Sequence, residues 1–351
     1  MRVLVCDDSA VMRKAISRVI EAEPGMELVG TARNGLEGVE KVKSLRPDAV
    51  TLDIEMPELD GLGALTRIMS ECPTPVLMCS SLTTEGSHAA LTALRLGAVD
   101  FLAKDPIEVA KGTSGFAEKL VMKLKTLGAS RVGAKKPSVQ GPPASRMAPT
   151  FRPLQFDAIL IGSSTGGPPV LEEIIESLPE DLSAPVVIAQ HMPLLFTQAM
   201  TERLARVSKV RVVLGSAGAR MEAGVVYVCP GGSHGRVVRG ERGALTLEVG
   251  KEPSTALYKP SVDELFLSGA RTVGARCLGV VLTGMGEDGL IGGRELKARG
   301  AVLLAQDAET SVVYGMPRAV TAAGLTQASL TPKQIGAALG TLRRSRAASA
   351  A

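Results

Sequence analysis

At 351 residues the chain is long enough for two domains that each bury a core, and 45% hydrophobic against 22% charged residues, with 38 Gly and 21 Pro, describes compact structure with many turns, not disorder. A net charge of +4 is too small to argue for nucleic acid, and without Trp and with 3% aromatics the chain lacks the stacking surfaces that single-stranded binding needs. No apolar run approaches the roughly 20 residues that span a bilayer, and the N-terminus enters a strand pattern with no leader, so a cytoplasmic protein not inserted in membrane is expected.

In the first part of the chain, strand-like runs at 3–6, 28–32, 49–52, 75–79 and 100–103 alternate with helical periodicity. The first helix reads as opened by Ser9 as N-cap, with Val11, Ala15 and Val19 at helical spacing. This β-α repeat predicts a (βα)5 parallel sheet, whose chemistry belongs at the carboxyl ends of its strands. Asp7 and Asp8 follow the first strand and Asp53 the third, which brings three carboxylates to one sheet edge. Clustered carboxylates repel, and a hard divalent cation such as Mg²⁺ relieves them. Ser80 ends the fourth strand and Lys104 the fifth, supplying a hydroxyl and a fixed positive charge for phosphate oxygens. Taken singly each aspartate is an ordinary turn residue; five placed groups point to phosphoryl chemistry.

The motifs VLVCDDS, TLDIEMPELDG, CSS and DFLAK resemble those of the response-regulator receiver domain over roughly residues 1–122. The resemblance implies Asp53 as phosphoacceptor, Asp7 and Asp8 as the acidic pocket with Asp8 a direct metal ligand, and Glu55 giving a backbone carbonyl to Mg²⁺. It also implies Ser80 and Phe101 as the switch pair, Lys104 on the phosphate, and a histidine kinase as phosphodonor. Asp105 stands where the family usually has Pro, which here comes one residue later at Pro106.

Residues 123–153 hold Lys and Arg, Pro142-Pro143, Gly and Ser, and read as a basic, solvated linker. Strand patterns resume at 158–162, 186–190, 210–214, 225–228, 278–282 and 302–305, predicting a second, doubly wound and mostly parallel α/β domain over 154–345. Its first strand runs into Gly162-Ser163-Ser164-Thr165-Gly166-Gly167 and then a helix. Glycines there free the backbone N–H groups to face a carbonyl, and Ser164 is the candidate nucleophile. A phosphate-binding loop is the rival reading, but neither Gly-Lys-Thr nor GxGxxG is present. A serine needs a base. His191 follows a strand and leads; His234, in a turn expected to face solvent, is second; His88 lies in the first domain. Asp288, in a glycine-rich turn after another apolar strand, is the candidate for orienting the imidazole.

IGSSTGGP, AQHMP, YKPSVDELF, LTGMGEDG and VYGMPRAV resemble the catalytic domain of chemotaxis protein-glutamate methylesterases from about Phe156 to Gly340. That resemblance implies Ser164, His191 and Asp288 as a triad, the Met285 N–H as oxyanion donor with Thr165 beside the nucleophile, and no cofactor for the ester step. It implies methylated chemoreceptors as substrate, deamidation of receptor glutamines, and a receiver that restrains the esterase until Asp53 is phosphorylated. Glu287 stands where the family often has Asn. A transcription regulator is disfavoured because residues after 156 form α/β repeats, not a basic helix-turn-helix; a receiver-linked scaffold without catalysis is the other alternative.

Overall fold

The computed structural model describes residues 1–104, 114–128 and 155–344. The chain divides into two units, residues 1–140 and 141–351. Asp105, Pro106 and most of the expected linker lie outside the described residues.

In the first unit, β1 (Arg2–Cys6), β2 (Glu27–Ala32), β3 (Ala49–Asp53), β4 (Val76–Ser81) and β5 (Asp100–Lys104) form a parallel sheet in the order β2-β1-β3-β4-β5. Every residue of β3 is buried, the unbroken pattern expected of a parallel strand covered on both faces. The strand order reverses between β1 and β3, which opens a crevice above their carboxyl ends. Ser9 caps the helix Ala10–Ala22 through the N–H of Met12, as its position predicts. The buried stripe of that helix, however, is Ile16, Ser17 and Ile20; Val11 is 74% exposed, because it faces away from the sheet. The last helix of the unit, Ser114–Gly128, runs through the expected linker start at 123. Leu120, Leu124 and Leu127 are buried at helical spacing, each contributing about 1.5–3 kcal/mol, and so carry the helix to Gly128.

The second unit is built on a seven-stranded, all-parallel sheet in the order β15-β14-β13-β6-β7-β10-β8. Its members are β6 (Ala158–Ser163), β7 (Val186–Gln190), β8 (Arg211–Leu214), β10 (Val225–Val228), β13 (Cys277–Val281), β14 (Val302–Gln306) and β15 (Ala328–Leu330). β6 lies between β7 and β13, so the chain builds outward from it first on one side and then on the other. That reversal is the switch point at which α/β sheets place their sites.

A second sheet was not foreseen. β9 (Ala219–Arg220), β11 (His234–Arg239) and β12 (Leu245–Gly250) pair antiparallel in the order β11-β12-β9. Its inward residues Val237 and Leu247 join the core below the helix Val262–Thr272. Ser268 accepts the Val237 N–H at 2.9 Å and Thr272 donates to the Val237 carbonyl at 2.8 Å, which fastens the small sheet to that helix. All five cysteines are buried and unpaired. Among the described residues no helix is long and apolar enough to cross a membrane.

Candidate active site

The receiver-like sheet gathers the acidic residues as its topology demands. Asp7 and Asp53 are buried and Asp8 is exposed, and one ligand oxygen from each lies within 4.8 Å of the others. Lys104 reaches across from β5, with Nζ 2.6 Å from Asp53 Oδ2 and 2.9 Å from Asp7 Oδ2. Burial pushes the Asp53 carboxyl up to about 6 and the neighbouring Asp7 adds to this, while Lys104 pulls it down. One ammonium against three carboxylates leaves net negative charge around oxygen ligands, a donor set that fits a hard divalent cation. Ser80 is buried and turned toward the first turn of the helix Thr84–Arg95, donating to the Gly86 carbonyl at 2.8 Å. Phe101 is buried on β5 with the Lys123 ammonium 5.9 Å above its ring. Glu55 is exposed, its carboxylate 3.4 Å from the Ser81 hydroxyl.

In the second unit, Ser164, His191 and Asp288 follow β6, β7 and β13, three adjacent strands, at their carboxyl ends. Ser164 is half-buried, and its N–H is held by the Thr283 carbonyl at 3.0 Å. Gly166 adopts φ 76°, a left-handed turn that favours glycine, and an added Cβ there would lie 2.6 Å from Val312 Cβ. Gly284 permits the close approach of the β13 loop: a Cβ on it would lie 2.8 Å from Ser164 Cβ.

His191 hangs from the same scaffold, its N–H donating to the Ser163 carbonyl at 3.1 Å. Its Nε2 is 2.8 Å from Asp288 Oδ2. A carboxylate only accepts, so Nε2 carries the proton and the lone pair of the neutral ring is on Nδ1. Nδ1 is buried with no hydrogen-bond partner, so the Ser164 hydroxyl is not bonded to it in this resting arrangement; such bonds commonly tighten only with substrate. Tyr258 stacks on the imidazole with centroids 4.1 Å apart and planes 9° from parallel, fixing the ring plane.

Asp288 accepts on both oxygens. Oδ2 takes His191 and the Val262 N–H at 2.7 Å; Oδ1 takes the Ser261 hydroxyl at 3.0 Å and the Asp263 N–H at 2.9 Å. Burial alone would push this carboxyl up, but His191 and the two backbone N–H groups outweigh it and hold Asp288 below the usual range. Those N–H groups begin the helix Val262–Thr272, whose positive end favours the anion. Asp263 beside it is pushed up to about 6 by burial and by the charge of Asp288, although it accepts the Gly289 and Gly292 N–H groups.

Thr165 is buried, its carbonyl accepting from the Thr283 hydroxyl at 3.0 Å; Met285 is half-buried and Glu287 exposed on the same turn as Asp288. His234 corrects the expectation of a solvent-facing ring: it opens β11, is 0% exposed, and engages both nitrogens, with Nδ1 toward the Ser261 N–H and Nε2 toward the Pro253 carbonyl. It therefore has no lone pair to offer Ser164. Sequence reasoning also missed Gln190, which accepts from the Ser163 hydroxyl at 2.5 Å and donates to the Ser164 carbonyl at 2.9 Å. Gln190, Tyr258, Ser261 and Thr283 all lie in or beside the motifs, where their adjacency to the candidate residues was the available signal; Gln306, which accepts the Thr283 N–H at 2.8 Å, gave none.

The CheB methylesterase family matches residues 159–339, and the response regulator receiver domain matches residues 3–111. The chain is 46% identical over 349 residues to the protein-glutamate methylesterase/protein-glutamine glutaminase 1 of Oleidesulfovibrio alaskensis, covering 93% of this chain and 94% of that protein. It is 42% identical over 337 residues to the protein-glutamate methylesterase/protein-glutamine glutaminase of Lawsonia intracellularis, covering 92% of this chain and 94% of that one. Among solved structures it is similar to the Thermotoga maritima CheB methylesterase catalytic domain, with a TM-score of 0.52 and 34% identity over 54% of this chain and 100% of that one. Similarity of this depth extends through both units, and with it the switch-point serine acquires its context: the chain belongs to the CheB methylesterase family and carries a receiver domain ahead of its esterase domain.

Proposed function

We propose that this protein hydrolyses glutamate methyl esters on chemoreceptors, and deamidates receptor glutamines by the same route, under control of phosphorylation at Asp53. The observation that carries the reading is the oriented imidazole: His191 gives Nε2–H to Asp288 at 2.8 Å and keeps Nδ1 unshared, while its backbone N–H is held by the Ser163 carbonyl next to Ser164.

Ser164 Oγ attacks the γ-carbonyl carbon while His191 Nδ1 takes its proton, giving a tetrahedral oxyanion that backbone N–H groups at Met285 and near Thr165 stabilise. Collapse breaks the bond to the ester oxygen, which leaves as methanol with the proton from His191; for glutamine the leaving group is ammonia. A water, deprotonated by His191, then hydrolyses the acyl-serine and returns Ser164. Asp288 stays ionised throughout and stabilises the imidazolium.

In the receiver, Asp7, Asp8 and Asp53, with the Glu55 carbonyl, would hold Mg²⁺, which supplies positive charge to the incoming phosphoryl oxygens. Asp53 is the phosphoacceptor, Lys104 pairs with the phosphate, and Ser80 turns from Gly86 toward it while Phe101 repacks. A chemotaxis histidine kinase in the cytoplasm is the donor.

The test is methanol release from methylated receptor membranes by wild type and Ser164→Ala, each with and without Mg²⁺ and a small-molecule phosphodonor. Serine-dependent release that the phosphodonor accelerates is the expected result. Release that survives Ser164→Ala removes the nucleophile, release indifferent to phosphorylation removes the control, and no release from any matched receptor favours a scaffold.

A further inference from the structure

His234 is buried, far in sequence from the triad, and its two partners are both single-valued. The Ser261 N–H can only donate, so Nδ1, 3.2 Å away, must be the acceptor. The Pro253 carbonyl can only accept, so Nε2, 3.3 Å away, must carry the proton. Together they specify one neutral tautomer, and protonation would set an Nδ1–H against the Ser261 N–H.

Ser261 is the residue on which Asp288 depends. It caps the helix Val262–Thr272, donates its hydroxyl to Asp288 Oδ1 at 3.0 Å, and fixes the direction of the next two N–H groups, which bind Asp288 at 2.7 and 2.9 Å. Three of the four hydrogen bonds to the carboxylate thus come from the segment whose leading N–H is anchored on His234. His234 in turn is held by β11, paired to Gly250 in β12.

We propose that His234 is a positioning residue of the ester hydrolysis: as a neutral imidazole it seats the start of the Val262–Thr272 helix, and through Ser261 it sets the orientation of Asp288 and hence of His191. This deepens the triad reading and rests on it. The surroundings keep the ring neutral: burial opposes its charge, as do Arg236 and Lys259, and together they outweigh the Pro253 carbonyl and Glu264, which favour the charge, Glu264 being already paired with Arg236 at 2.8 Å.

Two substitutions separate position from bulk. Asparagine can place an oxygen where Nδ1 stands; glutamine reaches only the place of Nε2. In the full-length protein, His234→Gln is expected to lower kcat for methanol release about 100-fold with KM within about threefold, and His234→Asn to recover most of that loss. Long-range ¹H–¹⁵N correlation on the wild type, assigned with His88→Asn and His234→Asn, should show His234 as the Nε2–H tautomer at neutral pH. The hydrogen-bonded Nε2–H of His191 should shift in His234→Gln and stay in place in His234→Asn. An Nδ1–H or charged His234 overturns the proposal, as does a glutamine variant with wild-type kcat, or asparagine no better than glutamine. If the glutamine variant does not fold, the wild-type tautomer and the asparagine kcat decide. Should Ser164→Ala stay active, the triad falls while the two imidazole signals still report on His234, so the two failures are distinguishable.

Discussion

Replacing Asp288 by asparagine conserves shape and removes charge, and the four hydrogen bonds of this carboxylate make the outcome calculable. One oxygen must become an NH₂ group, and both oxygens face backbone N–H groups. If the NH₂ faces Val262 and His191, the imidazole must move its proton to Nδ1 and has no base to offer Ser164. A wrong tautomer of this kind costs about 10⁴-fold in the serine-protease template. If it faces Ser261 and Asp263, the serine hydroxyl can reverse but the Asp263 N–H loses its acceptor, at about 1–3 kcal/mol of stability. The tautomer then survives without the anion, and an ion pair whose charge centres lie about 4 Å apart is worth about 4 kcal/mol at an effective dielectric near 20, or about 10²–10³-fold in rate. The expected loss in kcat is therefore about 10²–10⁴-fold, with KM little changed, measured as initial methanol release from saturating methylated receptor membranes. A folded Asp288→Asn enzyme that loses less than tenfold would refute the orienting role. The acid stability should change as well. Asp288 is held below its unfolded value, so it stabilises the fold above that value and the contribution is lost as pH falls through the folded one; the variant should lack this acid-side decline in urea titrations.

Tyr258→Ala removes the ring stacked at 4.1 Å on His191 and should lower kcat about tenfold, since such contacts are worth about 0.5–1.5 kcal/mol; an unchanged kcat would show that Asp288 alone fixes the ring. Gly284→Ala puts a methyl group against Met316 Sδ and 2.8 Å from Ser164 Cβ, and should cost about 1–3 kcal/mol of stability in urea melts together with most activity. Asp263 carries the opposite sign to Asp288. Its carboxyl is raised from 3.8 to about 6 in the fold, so its ionisation removes stability progressively as pH rises through that window. Asp263→Asn keeps an acceptor for Gly289 and Gly292, and its urea midpoint should fall less than wild type's between pH 4 and pH 7; parallel slopes would contradict this.

Both parallel sheets were legible because their strands are short, unbroken apolar runs and the candidate site residues stand at their carboxyl ends: Asp53 last in β3, Ser164 directly after β6, His191 directly after β7. Local pattern and strand-end logic suffice for such placements. They do not suffice for β9, which is two residues long, or for β11, where Val237 and Val238 sit between Arg236 and Arg239; β12, Leu245 to Val249, does carry the period-2 alternation of a half-buried strand, but the small sheet is ordered by Val237 and Leu247 packing on a helix later in the chain. The misreading of His234 has the same origin. A histidine after Pro-Gly-Gly-Ser looks like a turn residue until the tertiary fold places Ser261 and Pro253 against it. Val11 shows the converse: helical spacing identified the helix, but which stripe faces the sheet depends on the crossing of helix and sheet, which spacing does not encode.

The adjacency of β6 and β13 has a bearing on how the enzyme comes into being on the ribosome. Ser164 is synthesised well before its amide partner Thr283, and the two strands that meet in register, Ile159 beside Leu278 and Ile161 beside Val280, are separated by most of the esterase domain. Until the later strand emerges, the central strand of the sheet lacks its neighbour on one side and the nucleophile turn lacks its anchor. The nascent chain thus exposes an apolar edge, and the proposed Ser164–His191–Asp288 arrangement is assembled only after β13 and the turn that carries Asp288 have been made.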